Sequence, residues 1–172
     1  MVRYAEPGAV TWVESLGGPF VVLPEVALEA WSGSAGNDDA DDDYDRACAV
    51  EGFTGLLRVG SAEGLVLGDE PASTAYLPAQ GVFVRWSAAE SEEAMLGSVD
   101  AAMRAARWEP ELSWRVPGPV LLFDAAWTGE EARRQDHVRV DLEAGSYGVR
   151  AAYVEPCPQT ALTLVAVRRL PG

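Results

Sequence analysis

The sequence predicts an α+β fold that is mostly antiparallel β-sheet, with one main helix near residues 89–107 and a short helix near residues 24–31. Three observations carry that expectation. Short runs rich in Val, Leu, Phe and Tyr recur between glycines and prolines, the pattern of strands joined by turns. The apolar period lengthens to that of a helix over one extended stretch, AESEEAMLGSVDAAMRAAR. The 172 residues are 48% hydrophobic and include six tryptophans, enough for one packed domain across 1–172 without metal or disulfide staples.

Residues 10–14 and 20–23 are β-rich runs, joined by Ser15-Leu16-Gly17-Gly18-Pro19. The glycines supply positive φ and Pro19, lacking an N–H, suits the start of a strand. Pro24 can open a helix at no hydrogen-bonding cost, and PEVALEAW (24–31) ends at Gly33. Residues 32–45, SGSAGNDDADDDYD, have no apolar periodicity and read as a loop, followed by a short helical turn in DYDRACAVEG. FTGLLRVG and GLVLGDE form an expected hairpin about Ser61-Ala62-Glu63, and STAYLP and VFVRWSA follow as strands. The main helix places Met95, Leu96, Val99, Ala102, Met103 and Ala106 on one stripe, with Ser87 or Ser91 as N-cap. ELSWRV and VLLFDAAW flank Pro117-Gly118-Pro119 as strands. Val138, Val140 and Leu142 alternate with polar residues, and Ala144-Gly145-Ser146 is expected to turn the chain into a paired strand carrying Tyr147, Val149, Ala151 and Tyr153. ALTLVAVRRL does not alternate, which predicts burial on both faces.

The formal net charge is −14, and none of the basic residues is lysine. Such a surface repels nucleic acid and anionic membranes and steers cationic proteins toward it; the competing reading is that the charge maintains solubility. No apolar run is long enough to span a membrane. The N-terminal stretch has charges and Pro7 where a signal peptide would have an apolar core, so a cytoplasmic location is expected, with Cys48 and Cys157 as reduced thiols.

No catalytic residue, metal site or cofactor is expected. His137 is the single histidine and falls on the polar face of an alternating strand, and one histidine with two isolated cysteines offers no zinc-ligand pair. Gly17-Gly18-Pro19 fails as a nucleotide cradle: no lysine follows it, the spacing is not G-x-G-x-x-G, and a strand rather than a helix comes next. The acidic run lacks the sixth-position glycine and twelfth-position glutamate of a calcium loop, whether counted from Asn37 or Asp38. It therefore reads either as a solvated loop or as a docking surface for a basic protein. On the second reading the candidate partner-binding residues are Trp31, Asp38, Asp39, Asp41, Asp42, Asp43 and Asp45. Trp31 would then be an exposed anchor at the loop's edge, although amphipathic aromatics are more often partly buried.

The stretch WVESLGGPFVVLPEVALEAWSG (12–33), with DYDRACAVEGFTGL (43–56) and LVLGDEPASTAYLP (65–78), resembles the immunity protein 21 family of bacterial polymorphic toxin systems. The resemblance covers the first half of the chain, to Trp86. It implies a cytoplasmic protein that binds a cognate toxin domain and neutralises it by occlusion, without turnover. The acidic surface suits a basic, nuclease-type toxin. Two competing readings stay open: an enzyme using Cys48, His137 or a bound cation, and a small-molecule-binding β-rich domain with a cavity among the tryptophans.

Overall fold

Apolar runs that do not alternate belong to strands covered on both faces, and in the computed structural model they lie at the centre of two stacked sheets. The described residues are 8–36, 42–68 and 70–172. Among them are ten strands: β1 (Phe20–Pro24), β2 (Thr54–Val59), β3 (Ala62–Leu67), β4 (Thr74–Leu77), β5 (Val82–Ala88), β6 (Leu112–Val116), β7 (Val120–Asp124), β8 (Val138–Val140), β9 (Gly145–Cys157) and β10 (Thr160–Arg169). One sheet has the order β2-β3-β1-β7-β8 and the other β4-β5-β10-β9-β6. Every pairing within them is antiparallel. The helical elements are a 3-10 helix (Glu25–Ala30), α1 (Asp43–Cys48), α2 (Glu92–Gly97), α3 (Val99–Ala105) and α4 (Gly129–Ala132).

Strand alternation divides the apolar residues among three cores. Phe20, Val22, Leu65, Leu67, Val120 and Leu122 of the first sheet meet Phe83, Trp114, Val149 and Val165 of the second. The alternate residues Val21, Leu23, Leu121 and Phe123 face outward, under the 3-10 helix, α1 and α4. On the opposite outer face, Val82, Val84, Leu162 and Leu164 pack against Met95, Val99 and Ala102 of α2 and α3. The layers therefore run α/β/β/α, and β10 is buried on both faces as its sequence predicts.

Three expectations about connectivity and helix length are corrected. Residues 10–14 do not pair with β1; Val13 instead bridges to Thr74, through bonds of 2.9 and 3.0 Å. Ser15–Pro19 thus carries the chain from one sheet to the other. Pro117-Gly118-Pro119 and Ala144-Gly145 do the same, because β6 and β9 belong to one sheet while β7 and β8 belong to the other. The segment 138–153 is consequently not a hairpin. The main helix is two short ones that meet at Ser98. Gly97 lowers helix propensity there, and the Ser98 hydroxyl donates to Met95 O at 2.7 Å, competing for a helical carbonyl. The expected buried stripe persists across the break through Met95, Val99 and Ala102, and Ser91 is the N-cap, accepting from Ala94 N at 3.1 Å.

Two glycines set close backbone approaches. Gly129 N donates to Trp31 O at 3.1 Å, and a Cβ on Gly129 would collide with the Leu28 carbonyl, so α4 can lie against the 3-10 helix only with glycine there. Gly33, at φ +54°, has the backbone of Ala126 and Trp127 where a side chain would project.

Candidate partner-binding surface

Asp38, Asp39 and Asp41 lie outside the described residues. The remaining members of the acidic run have distinct structural positions. Asp42 caps α1, its Oδ1 accepting from Asp45 N at 2.8 Å. Asp43 is buried: its Oδ2 accepts from Ser32 N at 2.8 Å, its own N donates to the Ser32 hydroxyl at 3.1 Å, and its Oδ1 pairs with Arg46 Nη1 at 2.7 Å. Arg46 also donates to Arg58 O of β2 at 2.8 Å. Asp43 thereby fastens α1 to the end of the 3-10 helix, and Asp45 is the exposed carboxylate of this group.

Trp31 is corrected from exposed anchor to core residue. It is 2% exposed, its ring meets Phe123 edge-on at 6.4 Å, and its Nε1 donates to Ala125 O at 3.2 Å. The indole satisfies its one polar group while covering the outer face of β7, so burial removes apolar area from water without leaving a donor unpaired.

The Gly17-Gly18 turn is held by its own polar groups. Asp124, buried at the end of β7, accepts from Leu16 N at 2.7 Å and Ala126 N at 2.9 Å. The Ser15 hydroxyl donates to Gly18 O at 2.6 Å and accepts from Gly17 N at 3.0 Å. Carboxylate and hydroxyl thus occupy amides that a phosphate would need, which supports a structural turn.

The groups that an enzyme reading would use have ordinary partners. His137 Nδ1 lies 2.9 Å from Gln135 O. The Cys48 thiol, one helical turn from Tyr44, raises the tyrosine pKa together with burial. Among the described residues, no group of three His, Cys, Asp or Glu side chains is arranged to hold a metal. Both cysteines are free and exposed.

Among the described residues, surface concavities include the following. One cleft of about 520 Å³ has mixed charge, with Arg58, Glu63 and Arg115 beside Val26, which is 76% exposed. Elsewhere, clefts of about 300 and 710 Å³ adjoin through Ser87 and Tyr153. Strand register sets a row of successive partners, Thr74, Arg85, Thr163 and Tyr153, across β4, β5, β10 and β9, of which the last three line the smaller cleft. Each of the last three is two residues beyond a member of the inter-sheet core (Phe83, Val165 and Ala151), so the row extends the inner face past that core.

Arg85 in this row is buried, its Nη2 donating to Glu70 O at 2.6 Å, its Nη1 to Gly68 O and its Nε to Thr74 Oγ1 at 3.4 Å. Tyr153 is 47% exposed and its hydroxyl donates to Glu155 Oε1 at 2.9 Å. Glu155, Glu70 and Glu90 are exposed carboxylates lining the two clefts. No local sequence pattern marks this grouping as a whole. Its available signals were an arginine inside the apolar run VFVRWSA and the i, i+2 placement of Tyr153 and Glu155 on one strand face.

These features define an architectural class: an acidic antiparallel sandwich with helices on both outer faces and a carboxylate-lined cleft. The model of the family Immunity protein 21 matches residues 11–160, and the chain belongs to that family. The match extends the resemblance of the first half through β6 to β9. Comparison with curated proteins and with solved structures yields no match.

Proposed function

We propose that this protein neutralises a cognate toxin by binding it stoichiometrically and occluding its working surface, in the cytoplasm of the cell that carries both. The family match over residues 11–160 carries the reading. The net charge of −14 supports a basic toxin domain, such as a nuclease whose cleft grips phosphates. Co-expression with the toxin domain encoded beside it is expected to restore growth, and the two chains are expected to co-purify at one to one. Undiminished toxicity would sink the proposal.

Binding by occlusion requires no nucleophile or base. The double variant Cys48→Ser with His137→Gln is therefore expected to protect cells as well as the native protein does. Loss of protection with the folded protein still present would favour the enzyme reading.

The acidic run contributes long-range attraction in this scheme. Changing Asp38, Asp39, Asp41 and Asp45 together to Asn is expected to slow toxin association roughly 3–10-fold at low salt and to flatten its salt dependence, with little change in dissociation. Stopped-flow association across a salt series checks this. An unchanged rate at every salt concentration would make the run simply solvated surface.

A further inference from the structure

The cleft beyond the inter-sheet core has a floor, walls and an aromatic face. Its lining carboxylates, Glu70, Glu90 and Glu155, are exposed, whereas its lining arginine, Arg85, is turned into backbone carbonyls. Thr163 is only 5% exposed, yet it lines the cleft. Tyr153 presents nearly half its surface beside these groups. The cleft at the mixed-charge site, by contrast, sets Arg58 and Arg115 against Glu63 and would offer a cation little net attraction.

Resting on the toxin-neutralising reading, we propose that this cleft is the docking site for an arginine side chain in a basic segment of the toxin. The stem lies along the Tyr153 ring and the guanidinium spans Glu70 and Glu155, with the Thr163 hydroxyl accepting one further N–H. Arginine suits the site better than lysine because its planar fork can donate to several separated acceptors and stack on an aromatic face. The Tyr153 hydroxyl pKa is raised mainly by its hydrogen bond to Glu155, with further contributions from burial and from the charges of Glu155 and Glu70, so both carboxylates act at the ring. The division of labour with the acidic run follows: distributed charge sets the rate of encounter, and a walled, aromatic site sets how long the complex lasts.

Two measurements test the cleft. In an NMR titration with acetyl-Arg-Arg-Arg-amide, saturable amide shifts are expected at Glu70, Tyr153 and Thr163, and they should vanish in the double variant Glu70→Gln with Glu155→Gln. Shifts centred on residues 42–45, or unchanged in that variant, overturn the proposal. With the catalytically inactive toxin domain encoded by the adjacent gene, the same double variant and Tyr153→Ala are each expected to dissociate about 10–100-fold faster, with association slowed far less. Native dissociation rates in both variants overturn the cleft while leaving the immunity reading intact. Failure of the native protein to bind the toxin or protect cells overturns the immunity reading instead, and the peptide titration still decides the cleft.

Discussion

Replacing Trp31 with alanine is expected to destabilise the protein by about 3–5 kcal/mol, the range for truncating a large buried aromatic. Three losses act together. The indole leaves a void between the 3-10 helix and β7, its edge contact with Phe123 at 6.4 Å disappears, and Ala125 O loses the donor at 3.2 Å. For a chain of this length the melting temperature should fall roughly 6–20 °C. Trp31→Phe keeps most of the ring but not the N–H, and should cost about 1–2 kcal/mol. Urea unfolding of both variants measures the effect, with toxin affinity determined on the folded fraction. An exposed binding anchor would give the opposite result: native stability and a large loss of affinity. Alanine at this position with native stability would remove Trp31 from the core.

Trp31 also shows where sequence reading reaches its limit. PEVALEAW covers about two helical turns, too few for periodicity to reveal which face is buried, and tryptophan suits a core and an interface equally well. The decisive contacts, Phe123 and Ala125, lie more than ninety residues away in the chain. Asp43 presents the same difficulty within a run of like residues. Composition marks the run as exposed, but only the fold selects the carboxylate that turns inward to Ser32 and Arg46.

Most of the strands are legible because they are short apolar runs set between Gly and Pro. Their partners are less so. A turn that returns the chain along the same sheet and one that carries it to the facing sheet need the same residues, since both require tight backbone without ladder hydrogen bonds. The β2–β3 pairing is as expected, with its turn at Gly60-Ser61 rather than Ser61-Ala62-Glu63, whereas Ser15–Pro19 and Ala144-Gly145 cross between sheets. The apolar faces of β7 and β8 settle the matter physically: Val120, Leu122 and Val140 are buried against the second sheet, a position they reach only from the first. The cleft was illegible for a related reason. Its lining joins residues 85, 153 and 163, which no local pattern connects.

Arg85 is the residue through which the fold and the cleft are coupled. An arginine 2% exposed is costly unless its donors are satisfied, and here they hold the carbonyls of Gly68 and Glu70 and the Thr74 hydroxyl. Its guanidinium carbon also lies 5.9 Å from the centre of the Phe20 ring, within reach of a cation–π contact with the first sheet. Arg85→Met preserves the length and the apolar stem but abandons these acceptors, and is expected to cost about 3–5 kcal/mol. Arg85→Lys retains the charge without the fork and should recover only part of that loss, because a single ammonium cannot reach both carbonyls. Gly68 and Glu70 should loosen first, since Arg85 is what draws their carbonyls onto β5. Amide hydrogen exchange would show this as lost protection at Gly68, whose N–H donates to Phe53 O at 2.9 Å. Glu70 would then no longer be held at the cleft rim, and arginine-peptide binding should weaken in Arg85→Met under conditions where the protein remains folded. If Arg85→Met unfolds at the same urea concentration as the native protein, the guanidinium contributes no net stability; if its peptide affinity is also unchanged, it does not position the rim.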